Sequence, residues 1–191
     1  MKEYNIVIVG VGGQGIITLQ NILSEAALLQ GFEVKTSEIH GLAQRGGSVQ
    51  SHVRFGEKIY SPLVLQGSAN LIVGLELLET LRACYYASKE NKTRFIVDNN
   101  VIQPYSNEYP KLERIKEDLK RFSEEVIVLN ACEIVKRETG TSTPTNIYLL
   151  GFACSKGLIP IEKNYIFEAM KIIIPEKFFE MNKKIFELGS R

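Results

Sequence analysis

Apolar residues recur along this chain with two different periods, and the alternation between the two predicts an α/β fold. Short, nearly continuous apolar runs, typical of buried parallel strands, occupy residues 5–9 (NIVIV), 69–75 (ANLIVGL), 93–97 (TRFIV) and 125–129 (EVIVL). After the first run, apolar residues recur at three- and four-residue steps from Ile16 to Ala27, which predicts a helix that ends at Gly31. A second strand at residues 32–37 completes a βαβ unit, whose two strands must be parallel.

One segment alternates strictly instead of running continuously. Residues 48–55 place apolar and polar side chains on opposite faces, and Gly56 begins a turn signal, Gly-Glu-Lys. We predict a hairpin in which the chain returns antiparallel from Ile59 onward. His52 falls on the polar face of this strand, where a solvated or interface side chain is expected.

Helical patterns dominate the rest of the chain. Helices are predicted at residues 76–88 and 111–122, and four more follow at 131–138, 145–157, 162–174 and from Pro175 onward. The predicted fold is a three-layer α/β/α arrangement with a mixed, mostly parallel Rossmann-like sheet, an antiparallel hairpin excursion and a C-terminal helical segment. We interpret residues 1–191 as one domain, with an α/β core at about 5–130 and helices at about 131–189.

Composition narrows the classes of protein to which the chain can belong. There are 23 basic and 22 acidic residues, so the net charge of +1 does not favour nucleic acid or an anionic membrane as a partner. No apolar run approaches the length of a membrane span, and the three cysteines form no CxxC pair. These features predict a cytoplasmic protein without its own metal site or iron–sulfur cluster.

A glycine-rich turn lies between the first strand and the first helix. Gly10, Gly12, Gly13, Gln14 and Gly15 form the pattern G-x-G-x-x-G, in which glycines let a phosphate approach the backbone and the helix start offers free N–H groups. These five residues are therefore candidates for a phosphate- or cofactor-facing turn. The alternative is a tight strand–helix turn without a nucleotide, since the acidic residues expected to bind a ribose, Glu33 and Glu38, are not cleanly placed.

A second polar cluster, EIHGLAQRGGSVQSHVRFG, spans residues 38–56. It contains a set of candidates for an active site or a subunit interface: His40, Gln44, Arg45, Gly46 and Gly47. The arginine offers paired planar donors for a carboxylate or phosphate, and the glycines permit close approach of another chain. The two histidines of the chain lack the short-spaced partners of a metal site. The segment Asp98–Asn100 also follows a strand, and we interpret it as ordinary turn residues.

The two motifs together resemble a known family. The start IVIVGVGGQGIITLQNIL, the segment EIHGLAQRGGSVQSHVRFG and the later TNIYLLGFACSKGLIP and MNKKIFELG are similar to the gamma-type domain of the 2-oxoacid:ferredoxin oxidoreductases. Within that family, the sequence of residues 44–47 (Gln-Arg-Gly-Gly) is most similar to that of the beta subunit of indolepyruvate:ferredoxin oxidoreductases. The resemblance covers about residues 5–189.

The resemblance implies oxidative decarboxylation of an aryl pyruvate such as indolepyruvate to an acyl-CoA. It implies a larger catalytic subunit that holds thiamine diphosphate, magnesium and 4Fe-4S clusters, with coenzyme A as acyl acceptor and ferredoxin as electron acceptor. The chain has neither cluster motifs nor a GDG-type diphosphate segment. It is therefore expected to have no catalytic residue that acts in isolation and to be inactive without the larger subunit. A homodimer is one expected state of the isolated chain.

Two other functions stay open at this point. The glycine turn is also compatible with a stand-alone dinucleotide-binding reductase or a redox-sensing module. The chain is equally compatible with a scaffold whose loops only hold subunits together.

Overall fold

The computed structural model describes residues 1–41, 46–103 and 109–191. Its centre is a six-stranded sheet with the order β2-β3-β1-β4-β5-β6. The strands are β1 (Glu3–Val11), β2 (Glu33–His40), β3 (Ser48–Gly56), β4 (Leu71–Gly74), β5 (Arg94–Asp98) and β6 (Glu125–Leu129). The predicted α/β class and the mixed, mostly parallel sheet are confirmed.

The antiparallel excursion differs from the predicted hairpin. β3 pairs antiparallel with β1 on one side and with β2 on the other, so both of its edges are occupied. The chain after Gly56 forms no strand at Ile59 and crosses without regular structure to β4, which pairs parallel with β1. The predicted return strand is therefore wrong, because a strand in the interior of a sheet has no free edge for it. β1 and β2 are parallel, as predicted, but β3 lies between them.

Helices cover both faces of the sheet. They are α1 (Ile16–Leu29), α2 (Leu77–Arg82), α3 (Leu112–Lys120), α4 (Ala131–Thr139), α5 (Thr145–Ser155), α6 (Lys163–Ile173) and α7 (Glu176–Gly189), with a 3-10 turn at Ala83–Tyr86. Alternate residues of β1 serve the two layers: Ile6 and Ile8 pack with α1 and α4–α7, whereas Val7 and Val9 pack with α2 and α3. This confirms the three-layer arrangement and the C-terminal helices.

The face of β3 that was predicted to be solvated is buried. His52 is 1% exposed and Arg54 is 8% exposed, because the irregular segment 57–68 covers them. His52 Nδ1 accepts a hydrogen bond from Val64 N–H (3.0 Å), and its other ring nitrogen lies 2.6 Å from the side-chain amide of Gln50. Burial lowers the pKa of His52 to about 4, with Arg54 adding to the effect, so the ring is neutral near pH 7. The expectation of a solvated or interface histidine is wrong.

Helices α5 and α7 pack at backbone distance. A Cβ atom on Gly151 in α5 would collide with the carbonyl oxygen of Phe186, and one on Gly189 in α7 would collide with the carbonyl oxygen of Tyr148. The two glycines therefore allow a close helix–helix contact that any larger residue would prevent. Among the described residues, no helix is both long enough and apolar enough to cross a membrane.

Candidate functional site

The glycine turn and the polar cluster of residues 38–56, which are separate motifs in the sequence, meet at the carboxyl edge of the sheet. The glycine turn follows β1, and Gly12 N–H donates to the carbonyl oxygen of Gly47 (2.8 Å) while Gly46 N–H donates to the carbonyl oxygen of Gly12 (3.4 Å). These bonds continue the antiparallel β1–β3 ladder beyond Val11 and Ser48. The structure therefore brings the predicted Gly46 and Gly47 beside the glycine turn. Gln44 and Arg45 lie outside the described residues.

Gln14 fixes the glycine turn to the neighbouring strand. Its Oε1 accepts from Val11 N–H (2.6 Å), and its Nε2 donates to the carbonyl oxygen of Leu75, just after β4 (2.8 Å). A Cβ atom on Gly10 would lie 2.5 Å from Gln14 Oε1, so glycine is needed there to admit this side chain. Gln14 thus occupies the crevice between β1 and β4, where the chain turns to α1 on one face and α2 on the other.

Replacing Gln14 with alanine should detach the turn from β4. The variant leaves Val11 N–H and the Leu75 carbonyl oxygen without their partners, which should lower the free energy of unfolding by about 2 kcal/mol. Urea denaturation followed by circular dichroism measures the change. Gln66→Ala, at an exposed position on the segment 57–68, is the matched control and should change stability by no more than about 0.5 kcal/mol. Equal midpoints for the two variants would contradict the role of Gln14.

The remaining glycines of the turn shape the start of α1. Gly15 is the N-cap in the left-handed conformation (φ 76°), and its carbonyl oxygen accepts from Asn146 Nδ2 of α5 (2.9 Å). A Cβ atom on Gly15 would lie 2.6 Å from that nitrogen. Gly13 also has positive φ (106°) but lies in open space. Among the described residues no side chain caps α1, and its first turn has no acidic residue, which favours an anion at its positive end.

His40 and Glu38 line a cavity with the glycine turn. The cavity has a volume of about 430 Å³ and is lined by Gly12, Gly13, Gly15, Ile16, Ile17, Thr18, Glu38, His40 and Val49. His40 is exposed at the end of β2, and its Nδ1 donates to the carbonyl oxygen of Gly41 (3.1 Å). Glu38 Oε1 accepts from Gln20 Nε2 of α1 (2.9 Å). The structure thus brings His40 together with the glycine turn, and a role of His40 in binding a ligand stays a prediction.

The strand order does not fit the dinucleotide-binding arrangement. In that arrangement the acidic residue for the ribose ends the strand next to β1. Here β3 separates the two strands, so β2 lies about 10 Å from β1, twice the usual strand spacing. Glu33 begins β2 and therefore lies at the opposite edge of the sheet. Gln14 in turn fills the crevice at the end of β1.

A larger cavity lies on the other side of the first turn of α1. It measures about 680 Å³, and the junction between α6 and α7 forms its apolar wall with Ile174, Pro175 and Phe178. Gly13 and Gly15 line both cavities. The first turn of α1 is therefore accessible from two sides.

Asp98, like His52, is more buried than its sequence context suggested. It ends β5 at the same edge and is 1% exposed, which a solvated turn residue would not be. Its Oδ1 accepts from Cys132 N–H at the start of α4 (3.1 Å), whereas Oδ2 has no hydrogen-bond partner among the described residues. Burial raises the pKa of Asp98 to about 6. The available signal for a functional role was an acidic residue at the end of a buried apolar run, but the following residues Asn99 and Asn100 favoured a turn.

The described residues offer no site for a metal or a cluster. Nowhere in residues 1–41, 46–103 and 109–191 do three or more His, Cys, Asp or Glu side chains come together. Cys84 is buried, and Cys132 and Cys154 are partly exposed. Burial raises the pKa of Cys84 and of Cys154 to about 12, so both thiols stay protonated and act as small apolar side chains.

The family model "Pyruvate ferredoxin/flavodoxin oxidoreductase" matches residues 5–191. The indolepyruvate oxidoreductase subunit IorB of Thermococcus kodakarensis is 38% identical over 99% of this chain and 95% of its own length. The gamma subunit of a keto/oxoacid ferredoxin oxidoreductase from Geobacter sulfurreducens PCA has a similar fold, with a TM-score of 0.68 at 22% identity over 98% of this chain and 96% of its own.

One solved structure includes the same fold as part of a longer polypeptide. The 2-oxoglutarate:ferredoxin oxidoreductase of Magnetococcus marinus, solved with 2-oxoglutarate, coenzyme A and succinyl-CoA bound, matches with a TM-score of 0.74 at 19% identity. The match covers 99% of this chain but only 30% of that one. The fold therefore occurs both as a separate small subunit and within a larger chain.

The fold and the two joined motifs define a gamma-type domain of the 2-oxoacid:ferredoxin oxidoreductases. The chain belongs to the pyruvate ferredoxin/flavodoxin oxidoreductase family, as a subunit of such an enzyme.

Proposed function

We propose that this chain is the small subunit of an indolepyruvate-type oxidoreductase and that it completes the active site of a larger subunit. The reaction is the oxidative decarboxylation of an aryl pyruvate to its acyl-CoA, with ferredoxin as electron acceptor. The carboxyl edge of the sheet, with the glycine turn and Gly46–Gly47, faces the larger subunit. The observation that supports this most directly is the backbone pairing of Gly12 with Gly46 and Gly47 beside the cavity of about 430 Å³.

The similarity to subunit IorB supports the choice of substrate class, because it extends over nearly the full length of both chains. The larger subunit supplies thiamine diphosphate, magnesium and the 4Fe-4S clusters. Coenzyme A enters the assembled enzyme as acyl acceptor. The contribution of this chain is to position loops and to exclude water from the reacting groups.

The test is reconstitution from purified parts. The larger subunit, captured with the tagged chain, is assayed for ferredoxin reduction that depends on both indolepyruvate and coenzyme A. We expect activity only when the two subunits are mixed, and higher kcat/KM for indolepyruvate than for pyruvate, 2-ketoisovalerate or 2-oxoglutarate. Activity of the larger subunit alone would contradict the proposed role.

Replacing Arg45 with alanine should lower the activity of the reconstituted enzyme. A guanidinium that meets a carboxylate, a phosphate or the larger subunit contributes well over 1 kcal/mol, so kcat/KM or subunit affinity should fall by roughly tenfold or more. Arg114→Ala, in the exposed part of α3, is the matched control and should leave both quantities unchanged. If the Arg45 variant showed the turnover and subunit affinity of the wild type, the prediction that Arg45 contributes to the active site or the subunit interface would be wrong.

The dinucleotide alternative predicts a different result. A stand-alone reductase would bind a nicotinamide or flavin cofactor saturably, whereas the filled crevice at Gln14 and the displaced β2 predict no such binding. Calorimetric titration of the isolated chain with NADH, NADPH and FAD measures this. A saturable heat signal would favour the alternative.

A further inference from the structure

A small cavity lies where β5 ends, beside the glycine turn. Its volume is about 120 Å³, and Leu75, Asp98 and Ile102 are among its lining residues. Ser142 and Thr143 line it as well and are exposed, so the cavity reaches the surface at the carboxyl edge of the sheet.

The carboxyl group of Asp98 is only half satisfied. Backbone N–H groups at the start of α4 bond to it, with Cys132 N–H on Oδ1, and this explains why an acidic residue is tolerated at the end of a buried strand. The second oxygen, Oδ2, is buried and has no hydrogen-bond partner in residues 1–41, 46–103 and 109–191. A buried carboxylate oxygen without a partner is costly, so such a group normally meets a donor.

The charges around Asp98 do not supply that donor. Within the described ranges, no Lys, Arg or His nitrogen forms an ion pair with it, and the charged neighbour that acts on it is another acid, Glu133. A divalent metal ion does not fit, because the lining has one carboxylate and hard cations take several oxygen ligands. An anion does not fit either, because Oδ2 would repel it. What Oδ2 lacks is a hydrogen-bond donor, and the negative charge of Asp98, which no cation of the described residues neutralises, favours a cationic one.

We propose that Asp98 receives a basic side chain, an ammonium or guanidinium, from the larger subunit when the enzyme assembles. This inference rests on the proposed function, since the cavity opens at the edge that faces the larger subunit there. A basic side chain can lay its apolar stem along Ile102, an exposed apolar residue of the lining, while its charged end meets Asp98. The isolated chain is the state in which this carboxyl group lacks its partner.

The variant Asp98→Asn tests the assignment, because two measurements should move in opposite directions. Asparagine keeps Oδ1 as the acceptor for Cys132 N–H but removes the buried charge, so the thermal midpoint of the isolated chain should rise. The affinity for the larger subunit, measured by interferometry with purified proteins, should fall by about tenfold or more, because the partner's cation is left unpaired. A purely structural role for Asp98 in capping α4 would not produce this pair of results.

Asp118→Asn is the matched control, since Asp118 forms surface ion pairs with Arg114 in α3 and with Arg121 just beyond it. It should change neither the affinity nor, by more than a small amount, the midpoint. If the wild-type chain binds the larger subunit and Asp98→Asn binds it with the same affinity, the Asp98 assignment is wrong while the proposed function stands. A lower midpoint of the isolated variant would also overturn it, since the negative charge of Asp98 would then already be stabilised within this chain. Failure of the wild-type chain to bind the larger subunit would overturn the proposed function and this assignment together.

Discussion

Replacing Gly151 with alanine should lower the free energy of unfolding by about 3 kcal/mol, although alanine is the better helix former. The added methyl group collides with the carbonyl oxygen of Phe186 in α7, and a backbone group cannot rotate away as a side chain can. Helices α5 and α7 must therefore separate, which loosens the packing around Phe186 and Ile185, both fully buried. Loss of this much stability is a large part of what a domain of this size possesses.

Urea denaturation of the Gly151 variant, followed by circular dichroism, measures the effect. Ser155→Ala is the control, because Ser155 is exposed in the same helix and its replacement tests helix propensity without the collision. We expect the control to be as stable as the wild type or slightly more so. A Gly151 variant with a wild-type midpoint would show that α5 and α7 are not packed at backbone distance.

Replacing Arg54 with methionine should lower the free energy of unfolding by about 3 kcal/mol, because it removes a buried guanidinium and leaves the acceptors of its hydrogen bonds without a donor. Arg54 is 8% exposed. Its guanidinium donates to Asn5 Oδ1 (2.8 Å), Glu3 Oε2 (3.0 Å) and the carbonyl oxygens of Ser61 (2.9 Å) and Leu63 (3.1 Å). Methionine retains the apolar stem but leaves these acceptors without a donor.

The same variant should also loosen the segment 57–68, since two of the lost bonds hold its backbone. Limited proteolysis should therefore cut the Arg54→Met protein within this segment well before the wild type. Arg137→Met is the control: Arg137 pairs with Glu138, and the two side chains are 74% and 37% exposed, so its loss should cost less than about 1 kcal/mol. Equal costs for the two arginines would contradict a structural role for the buried one.

The sequence was sufficient for most of the elements but not for the pairing of the strands. The period of the apolar residues predicts β1, α1 and the C-terminal helices because each of these buries one continuous stripe or run. The pairing of β3 was not predictable from its alternation, because the pattern shows that one face is buried but not which strands lie beside it. A turn signal at Gly56 suggested a local partner, whereas the actual partners are β1 and β2.

The candidate site shows the same division. The glycine turn and the glycines at 46–47 were identified from residue type, and the structure adds that Gly12 bonds directly to the second motif. The roles of His52 and Asp98 could not be derived from their own segments. His52 is buried by the segment 57–68, which follows β3. Asp98 accepts its hydrogen bond from the start of α4, which lies 34 residues further along the chain.

The packing of α5 against α7 also has a consequence for synthesis on the ribosome. The α1 side of the sheet is covered by α4–α7, and its core includes Phe186 near the end of α7. When only residues 1–175 have left the ribosome, Gly151 of α5 has no α7 to pack against, and the nascent chain exposes apolar surface there. This layer can close only after α7 has emerged, so the growing chain needs protection from aggregation until then.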